Sequence, residues 1–162
     1  ATYCAKTIGA ERIFTYEANV DNIPFIQAVF SKNNVTPILT NAYLSGQIGE
    51  FLFSINKNNR LGSSALLNSS QTVKIPMLDL NQEIARIKPT FLIMDIEGGE
   101  FDIFKIIEFQ TIHKVQFELH PAILGEEKCN FIFDVLAQSG FVLDAAVSEG
   151  VNYYFYKEVE ES

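Results

Sequence analysis

Three carboxylates follow one apolar run of the sequence. Asp95, Glu97 and Glu100 come directly after Thr90–Met94, a run that is typical of a parallel strand buried on both faces. Carboxylates at the carboxyl end of such a strand can hold a cationic ligand, orient a hydroxyl group or abstract its proton. Acids in the first turn of a following helix are also stabilised by the helix dipole, and this explanation suits Glu100 best. We therefore take Asp95 and Glu97 as candidate catalytic residues.

A histidine follows the next predicted strand. His120 comes after Lys114–Leu119, and a histidine whose pKa lies near neutrality can remove a proton from a hydroxyl group. A histidine that only makes a structural hydrogen bond at a strand end is at least as common, so both interpretations stay open. Acids and a histidine can also bind a divalent cation, but their spacing matches no standard metal motif, and no metal is predicted. His120 is the third candidate catalytic residue.

The rest of the chain alternates between predicted helices and strands. Apolar spacing predicts helices over 1–8, 21–32, 78–87, 101–109 and 126–138, and strands over 12–16, 37–44, 73–77, 90–94 and 114–119. Two extended runs, 141–147 and 152–156, flank a turn that is too short for a parallel connection. This order predicts a doubly wound, Rossmann-like α/β sheet that is mostly parallel and ends in an antiparallel C-terminal hairpin.

We expect one domain over residues 1–162, interrupted by a hairpin-like insertion. The insertion spans about 49–67 and would pair Phe51–Ile55 with Ser64–Leu67. Ligands of doubly wound sheets bind beyond the carboxyl ends of the strands. Glu17, which follows the predicted strand 12–16, and Asn41, in the predicted strand 37–44, therefore join the candidate binding residues.

Composition and charge narrow the choice of partners. The formal net charge of -8 and the pI near 4.7 disfavour nucleic acid and anionic membrane surfaces. Cys4 and Cys129 lie far apart without a metal-binding pattern, so we expect two thiols in a reducing cytoplasm. No apolar run is long enough for a membrane span. A neutral or weakly polar small molecule is the expected substrate.

Four short motifs occur in order along this alternation: YEAN at 16–19, NAYLSG at 41–46, SSAL at 63–66 and DIEGGE at 95–100. Together they resemble the FkbM-type family of class I S-adenosylmethionine-dependent methyltransferases across nearly the whole chain. In that family an E-x-N element follows the second strand, a short strand ends near an alanine, and D-x-E-G-x-E follows the fourth strand. The resemblance implies S-adenosyl-L-methionine as the cofactor.

The resemblance also assigns roles to individual residues. It implies that Glu17, in the same E-x-N element as Asn19, accepts hydrogen bonds from the ribose hydroxyls, and that Asn41 reads the adenine edge while Ala42 leaves room for the ring. Asp95 would lie near the sulfonium end of the cofactor, besides its catalytic role. Asn41 in a turn has a conformational explanation that is equally good. The implied acceptor is a hydroxyl group on a sugar or another natural-product scaffold.

The same resemblance implies a first strand and a glycine-rich loop, which do not occur in this sequence. Residues 1–8 are typical of the end of a helix, so we expect upstream residues that supply both elements and are needed for strong cofactor binding. A non-catalytic α/β binding module on the same scaffold is the alternative function. A hydrolase fits least, because the chain has no G-x-S-x-G nucleophile turn.

Overall fold

The computed structural model describes residues 1–55 and 71–158, which belong to two compact units, Ala1–Leu78 and Asp79–Ser162. Each unit is described by itself below. Within the described part of the chain, no helix combines the length and the apolar character that crossing a bilayer requires. Cys4 and Cys129 are both free thiols.

The first unit contains a parallel strand pair joined by a helix. Helix α1 (Thr2–Ile8) ends at Gly9, as predicted, and strand β1 (Phe14–Glu17), helix α2 (Ile23–Lys32) and strand β2 (Ile38–Asn41) follow. Because α2 returns the chain to the start of the sheet, β1 and β2 run parallel, with Glu17 opposite Asn41. The two strands therefore end side by side.

A second sheet in this unit contains the hairpin. Strand β3 (Tyr43–Ser45), strand β4 (Gly49–Ile55) and strand β5 (Gln71–Asp79) form a sheet in the order β3-β5-β4. Strand β4 pairs antiparallel with β5 from Gly49↔Met77 to Ile55↔Gln71. The short extended run predicted over 73–77 lies inside this ladder. The predicted partner 64–67 lies outside the described residues, so the pairing of 51–55 with 64–67 stays a prediction.

Apolar side chains fill the space beside this sheet. Phe53 and Ile75 are buried together and contact Ala18, while the rings of Tyr43 and Phe51 stack with centroids 4.2 Å apart. Packing against Ala18 ties the loop after β1 to the hairpin sheet. The end of β1 is thereby held in place.

The second unit is a mixed sheet with helices. Its elements are helix α3 (Leu80–Ile87), strand β6 (Phe91–Met94), helix α4 (Glu100–Phe104), strand β7 (Lys114–Glu118), helix α5 (Pro121–Leu124), helix α6 (Glu126–Gln138), strand β8 (Val142–Leu143) and strand β9 (Asn152–Tyr156). The strand order is β6-β7-β9-β8, in which β6 and β7 are parallel and the other neighbours are antiparallel. The predicted antiparallel ending is confirmed, although β8 contributes only two residues to it. Mixed α/β architecture is likewise confirmed, whereas one continuous doubly wound sheet stays a prediction.

Strand β6 is less buried than its sequence indicates. The side chain of Ile93 is 52% exposed and Phe91 is also exposed, although an all-apolar run is typical of a strand covered on both faces. Phe91 and Ile93 alternate with Leu92 and Met94 along the strand, so one face of β6 is exposed and the other is covered. Met94, at its carboxyl end, is buried.

Helix α4 is shorter than predicted. It ends after Phe104, whereas the apolar spacing predicts a helix to Phe109. The side chain of Asn81 explains the difference: its Nδ2 donates to the carbonyl of Ile106 at 2.7 Å and its Oδ1 accepts from the amide of Glu108 at 2.9 Å. These bonds satisfy backbone groups outside a helix, so the chain turns toward β7.

Candidate functional site

The four candidate binding residues of the first unit lie at the carboxyl ends of β1 and β2. Glu17 and Asn41 are the last residues of the two strands, and the amide of Ala42 donates to the carbonyl oxygen of Glu17 at 3.2 Å. The carboxylate of Glu17 accepts from the backbone amide of Asn19 through Oε1 at 2.7 Å. Ala42 is buried. Parallel pairing thus brings together residues that lie more than twenty positions apart.

Asn41 stabilises the loop that carries Glu17. Its Nδ2 donates to the carbonyl oxygens of Glu17 at 2.8 Å and Ala18 at 3.2 Å. The conformational role that the sequence leaves open for this residue is therefore present. The side-chain oxygen of Asn41 and Oε2 of Glu17 are the atoms of these two residues that can still accept from a ligand.

Asn19 has a structural role in these contacts. Its side chain accepts from the amide of Asp21 at 3.0 Å and caps the short 3₁₀ turn Val20–Asn22. It is only 3% exposed. Direct contact of Asn19 with a cofactor stays a prediction.

A strained turn follows β6 in the second unit. The amide of Gly99 donates to the carbonyl of Ile96 at 3.2 Å, and the two central residues, Glu97 and Gly98, have φ values of 52° and 96°. Two successive positive φ values are the pattern of a type I′ turn, and this conformation costs a glutamate about 1–2 kcal/mol. Strain of this kind is concentrated at functional sites.

Gly98 is required in this turn for two reasons. Its φ is positive, and a Cβ at this position would lie 2.7 Å from Cγ2 of Ile123 on α5. A Cβ on Gly99 would meet its nearest neighbour at 3.4 Å, which is ordinary contact. Of the two neighbouring glycines, Gly98 is therefore the one whose backbone passes too close to another residue for a side chain.

His120 lies at the centre of a group of acids, which we call the His120 cluster: Asp95, Glu97, Glu100, Glu118 and His120. Nδ1 of His120 is 2.7 Å from Oε1 of Glu100. The other ring nitrogen, Nε2, is 3.5 Å from Oε2 of Glu97 and 4.0 Å from Oε1 of Glu118. One imidazole ring therefore has carboxylates at both of its nitrogens.

Asp95 lies at the open side of the cluster. It follows β6 directly and is exposed, and one carboxylate oxygen of Asp95, one of Glu97 and a ring nitrogen of His120 lie within 4.8 Å of one another. The structure thus brings together all three residues that the sequence proposes as catalytic. Oxygen and nitrogen atoms in this arrangement can meet a cation, either a divalent metal or an organic group. The sequence-based prediction of a metal-free site stays a prediction.

Glu100 is the residue that sequence reasoning undervalued. It begins α4, where the helix dipole favours an acid, but its side chain is completely buried and its Oε1 also accepts from the amide of Gly98 at 3.1 Å. The signal was present in the spacing, because Glu100, Ile103 and Phe104 fall on one helical face and all three are buried. A carboxylate on the apolar face of a helix needs a partner, and His120 is that partner.

The surroundings of His120 change its proton affinity. Burial on its own lowers the pKa of His120, but the hydrogen bond to Glu100 and the negative charges of Glu100, Glu97 and Glu118 outweigh it and raise the pKa above its ordinary value. The ring therefore holds a proton to a higher pH than a free histidine. It remains able to exchange that proton with a ligand at Nε2.

The family model described as the methyltransferase FkbM domain matches residues 13–143, a range that contains both the Glu17–Asn41 pair and the His120 cluster. Neither a curated protein nor a solved structure matches the chain significantly. The family match covers most of the sequence, from the start of β1 to the end of β8. The chain belongs to the FkbM methyltransferase family.

Proposed function

We propose that this chain transfers a methyl group from S-adenosyl-L-methionine to a hydroxyl group of a small molecule or saccharide. Membership of a methyltransferase family supports the reaction type. The observation that carries the hydroxyl acceptor is the His120 cluster, in which a titratable ring nitrogen lies beside exposed carboxylates at a strand end. A hydroxyl group benefits from a base that removes its proton during transfer. A thiolate, or an amine that has already lost its proton, needs no such base.

The residues at the ends of β1 and β2 fit the nucleoside part of the cofactor. Oε2 of Glu17 can accept from a ribose hydroxyl while Oε1 keeps its bond to the amide of Asn19. Asn41 holds the Glu17 loop with its amide group, which leaves its side-chain oxygen for the amino group of adenine. The small side chain of Ala42 leaves space beside them.

In the second unit, the charges and the titratable nitrogen of the His120 cluster suit methyl transfer to a hydroxyl acceptor. When bound, S-adenosyl-L-methionine would supply a methyl group on a sulfonium, which is a good leaving group. Asp95 and Glu97 provide negative charge that attracts this cation and can also orient the acceptor hydroxyl. As the acceptor oxygen gains the methyl group, its proton passes to Nε2 of His120.

Proton removal is the smaller part of the rate enhancement in this scheme. A positioned base contributes about 10² to 10⁴-fold. Alignment of the acceptor oxygen with the methyl carbon contributes more, since effective molarities of well-oriented groups reach about 10⁵ M or above. The strained Glu97 turn and the buried Glu100 both restrict the cluster to one geometry.

Calorimetric titration with S-adenosylhomocysteine tests this proposal. Glu17→Gln should weaken binding by about tenfold or more, since a charge-assisted hydrogen bond contributes about 1.5–3 kcal/mol. The matched control is Glu11→Gln, which removes an acid from the same unit away from the strand ends. Absence of binding by the wild-type protein would overturn the proposal and favour the non-catalytic binding module.

A further inference from the structure

The contact between Glu100 and His120 determines which ring nitrogen can act as a base. Glu100 is completely buried, and its Oε1 lies 2.7 Å from Nδ1 of His120 and 3.1 Å from the amide nitrogen of Gly98. Oε1 already accepts from Gly98, and a carboxylate oxygen accepts hydrogen bonds, so the geometry of this contact assigns the hydrogen to Nδ1. In the neutral ring the lone pair then belongs to Nε2.

Nε2 is the nitrogen that faces the exposed part of the cluster. It lies 3.5 Å from Glu97, which is half-buried, whereas Nδ1 points to a residue without exposed surface. A substrate can therefore reach Nε2 but cannot reach Nδ1. The opposite tautomer would present an N–H to the substrate, and such a ring cannot accept a proton there.

The remaining neighbours of Glu100 do not compete for its charge. Oε2 of Glu100 has no hydrogen-bond partner within the described residues. The nearby thiol of Cys129 on α6 is neutral, because burial and, to a smaller extent, the charge of Glu100 raise its pKa. Glu97 and Glu118 also face His120 but from the Nε2 side. The imidazolium that forms during proton transfer is thus stabilised at Nδ1 by Glu100.

We propose that Glu100 is a positioning residue that holds His120 in the Nδ1–H tautomer and leaves Nε2 as the proton acceptor. The catalytic meaning of this inference rests on the proposed function. The tautomer itself does not, because it follows from contacts within the protein. It can be measured without cofactor or acceptor.

Nitrogen NMR of the histidine-labelled protein tests the tautomer directly. The chain has two histidines, so His113, which lies in the loop before β7, serves as an internal reference. Above the pKa of His120, wild-type protein should show a protonated Nδ1 and an unprotonated Nε2. A ring with the proton predominantly on Nε2 would overturn the inference, whatever the binding of S-adenosylhomocysteine.

Two substitutions separate the effect of position from that of charge. Glu100→Gln keeps an acceptor for Nδ1–H, so the tautomer should persist while His120 titrates at lower pH. Glu100→Leu removes the acceptor as well, and both tautomers should then be populated. Circular dichroism checks that each variant folds, and His113 should be unchanged in both.

Activity measurements connect the tautomer with turnover. In Glu100→Leu, kcat should fall by up to about 10² to 10⁴-fold, the range that a positioned base contributes, with KM and S-adenosylhomocysteine binding retained. In Glu100→Gln, the acidic limb of the pH profile should move to lower pH. If Glu100→Leu leaves both the tautomer and the titration of His120 unchanged, the inference is wrong. If the wild-type protein does not bind S-adenosylhomocysteine, only the proposed function is contradicted.

Discussion

Glu17 and Asn41 face each other as the last residue pair of two parallel strands, although they are separated by 24 positions in the sequence. Nδ2 of Asn41 donates to the carbonyl oxygen of Glu17 at 2.8 Å. The residue proposed to read adenine therefore also fixes the backbone of the residue proposed to bind ribose. Cofactor affinity and local stability should change together at this pair.

Asn41→Asp should be more harmful than Asn41→Ala. Alanine removes the two hydrogen bonds to the carbonyl oxygens of Glu17 and Ala18 and should lower the free energy of unfolding by about 1–3 kcal/mol. Aspartate has the same size but places a carboxylate against those oxygens, so repulsion adds to the loss. Urea denaturation and calorimetric titration with S-adenosylhomocysteine measure both effects. Equal stability of the two variants would contradict the orientation of the amide group.

Glu97→Gly should separate stability from activity. Because Glu97 has a φ of 52°, glycine relieves backbone strain, and the free energy of unfolding should rise by up to about 1 kcal/mol. Methyl transfer should nevertheless fall, since the carboxylate beside Nε2 of His120 is lost. Glu97→Asn is the matched control, because asparagine tolerates positive φ and restores a polar side chain without the charge. Destabilisation by glycine would show that the turn is not strained.

Gly98→Ala should destabilise the protein, whereas Gly99→Ala should be nearly neutral. Alanine at position 98 lowers the stability in two ways. Its φ of 96° costs about 1–2 kcal/mol, and its Cβ would lie too close to Ile123. Adding Ile123→Ala to Gly98→Ala should recover only the stability that is lost through this contact. A double-mutant cycle of unfolding free energies measures that part. Complete recovery would mean that the backbone conformation carries no cost.

The stability that His120 contributes should depend on pH. Since the pKa of His120 is raised in the folded chain, its contribution is fully present below the unfolded value of about 6.5 and is lost as pH rises through the folded value. The difference in unfolding free energy between wild-type protein and His120→Gln should therefore shrink as the pH rises above about 6.5. If the difference in unfolding free energy grows with pH instead, the carboxylates around His120 do not stabilise its charged form.

Methyl transfer should show the opposite trend in the same range. The base form of His120 appears only as the ring loses its proton, so kcat/KM should rise with pH through a pKa above the ordinary histidine value. His120→Gln should remove this rise and lower the rate by about 10² to 10⁴-fold. An unchanged pH profile in His120→Gln would assign the proton transfer to another group.

The sequence predicted the alternation of helices and strands better than it predicted which residues are buried. A helical crossover makes consecutive strands parallel, so β1 and β2 could be predicted to be parallel, but the predicted strand 37–44 does not end at Asn41 as β2 does. The role of Glu100 was missed because a first-turn acid is usually solvated, and only its helical spacing with Ile103 and Phe104 indicates burial. Periodicity identifies the face of an element but not the partner of a polar side chain on it.

The errors in the fold have a similar physical origin. Periodicity alone could not identify 71–79 as the partner of β4, because it indicates strands but not which of them pair. The exposure of Ile93 on β6 could not be read from its apolar run either, because burial of a strand face depends on what packs against it. Contacts that are distant in sequence decide both properties.

The exposed face of β6 has a consequence for the behaviour of the protein in solution. Exposed apolar side chains such as Ile93 can hold molecules together, and mutual repulsion of the negatively charged chains opposes this at neutral pH. Near the pI of 4.7 that repulsion disappears. Acidification toward this pH should therefore promote self-association, and Ile93→Lys should reduce it.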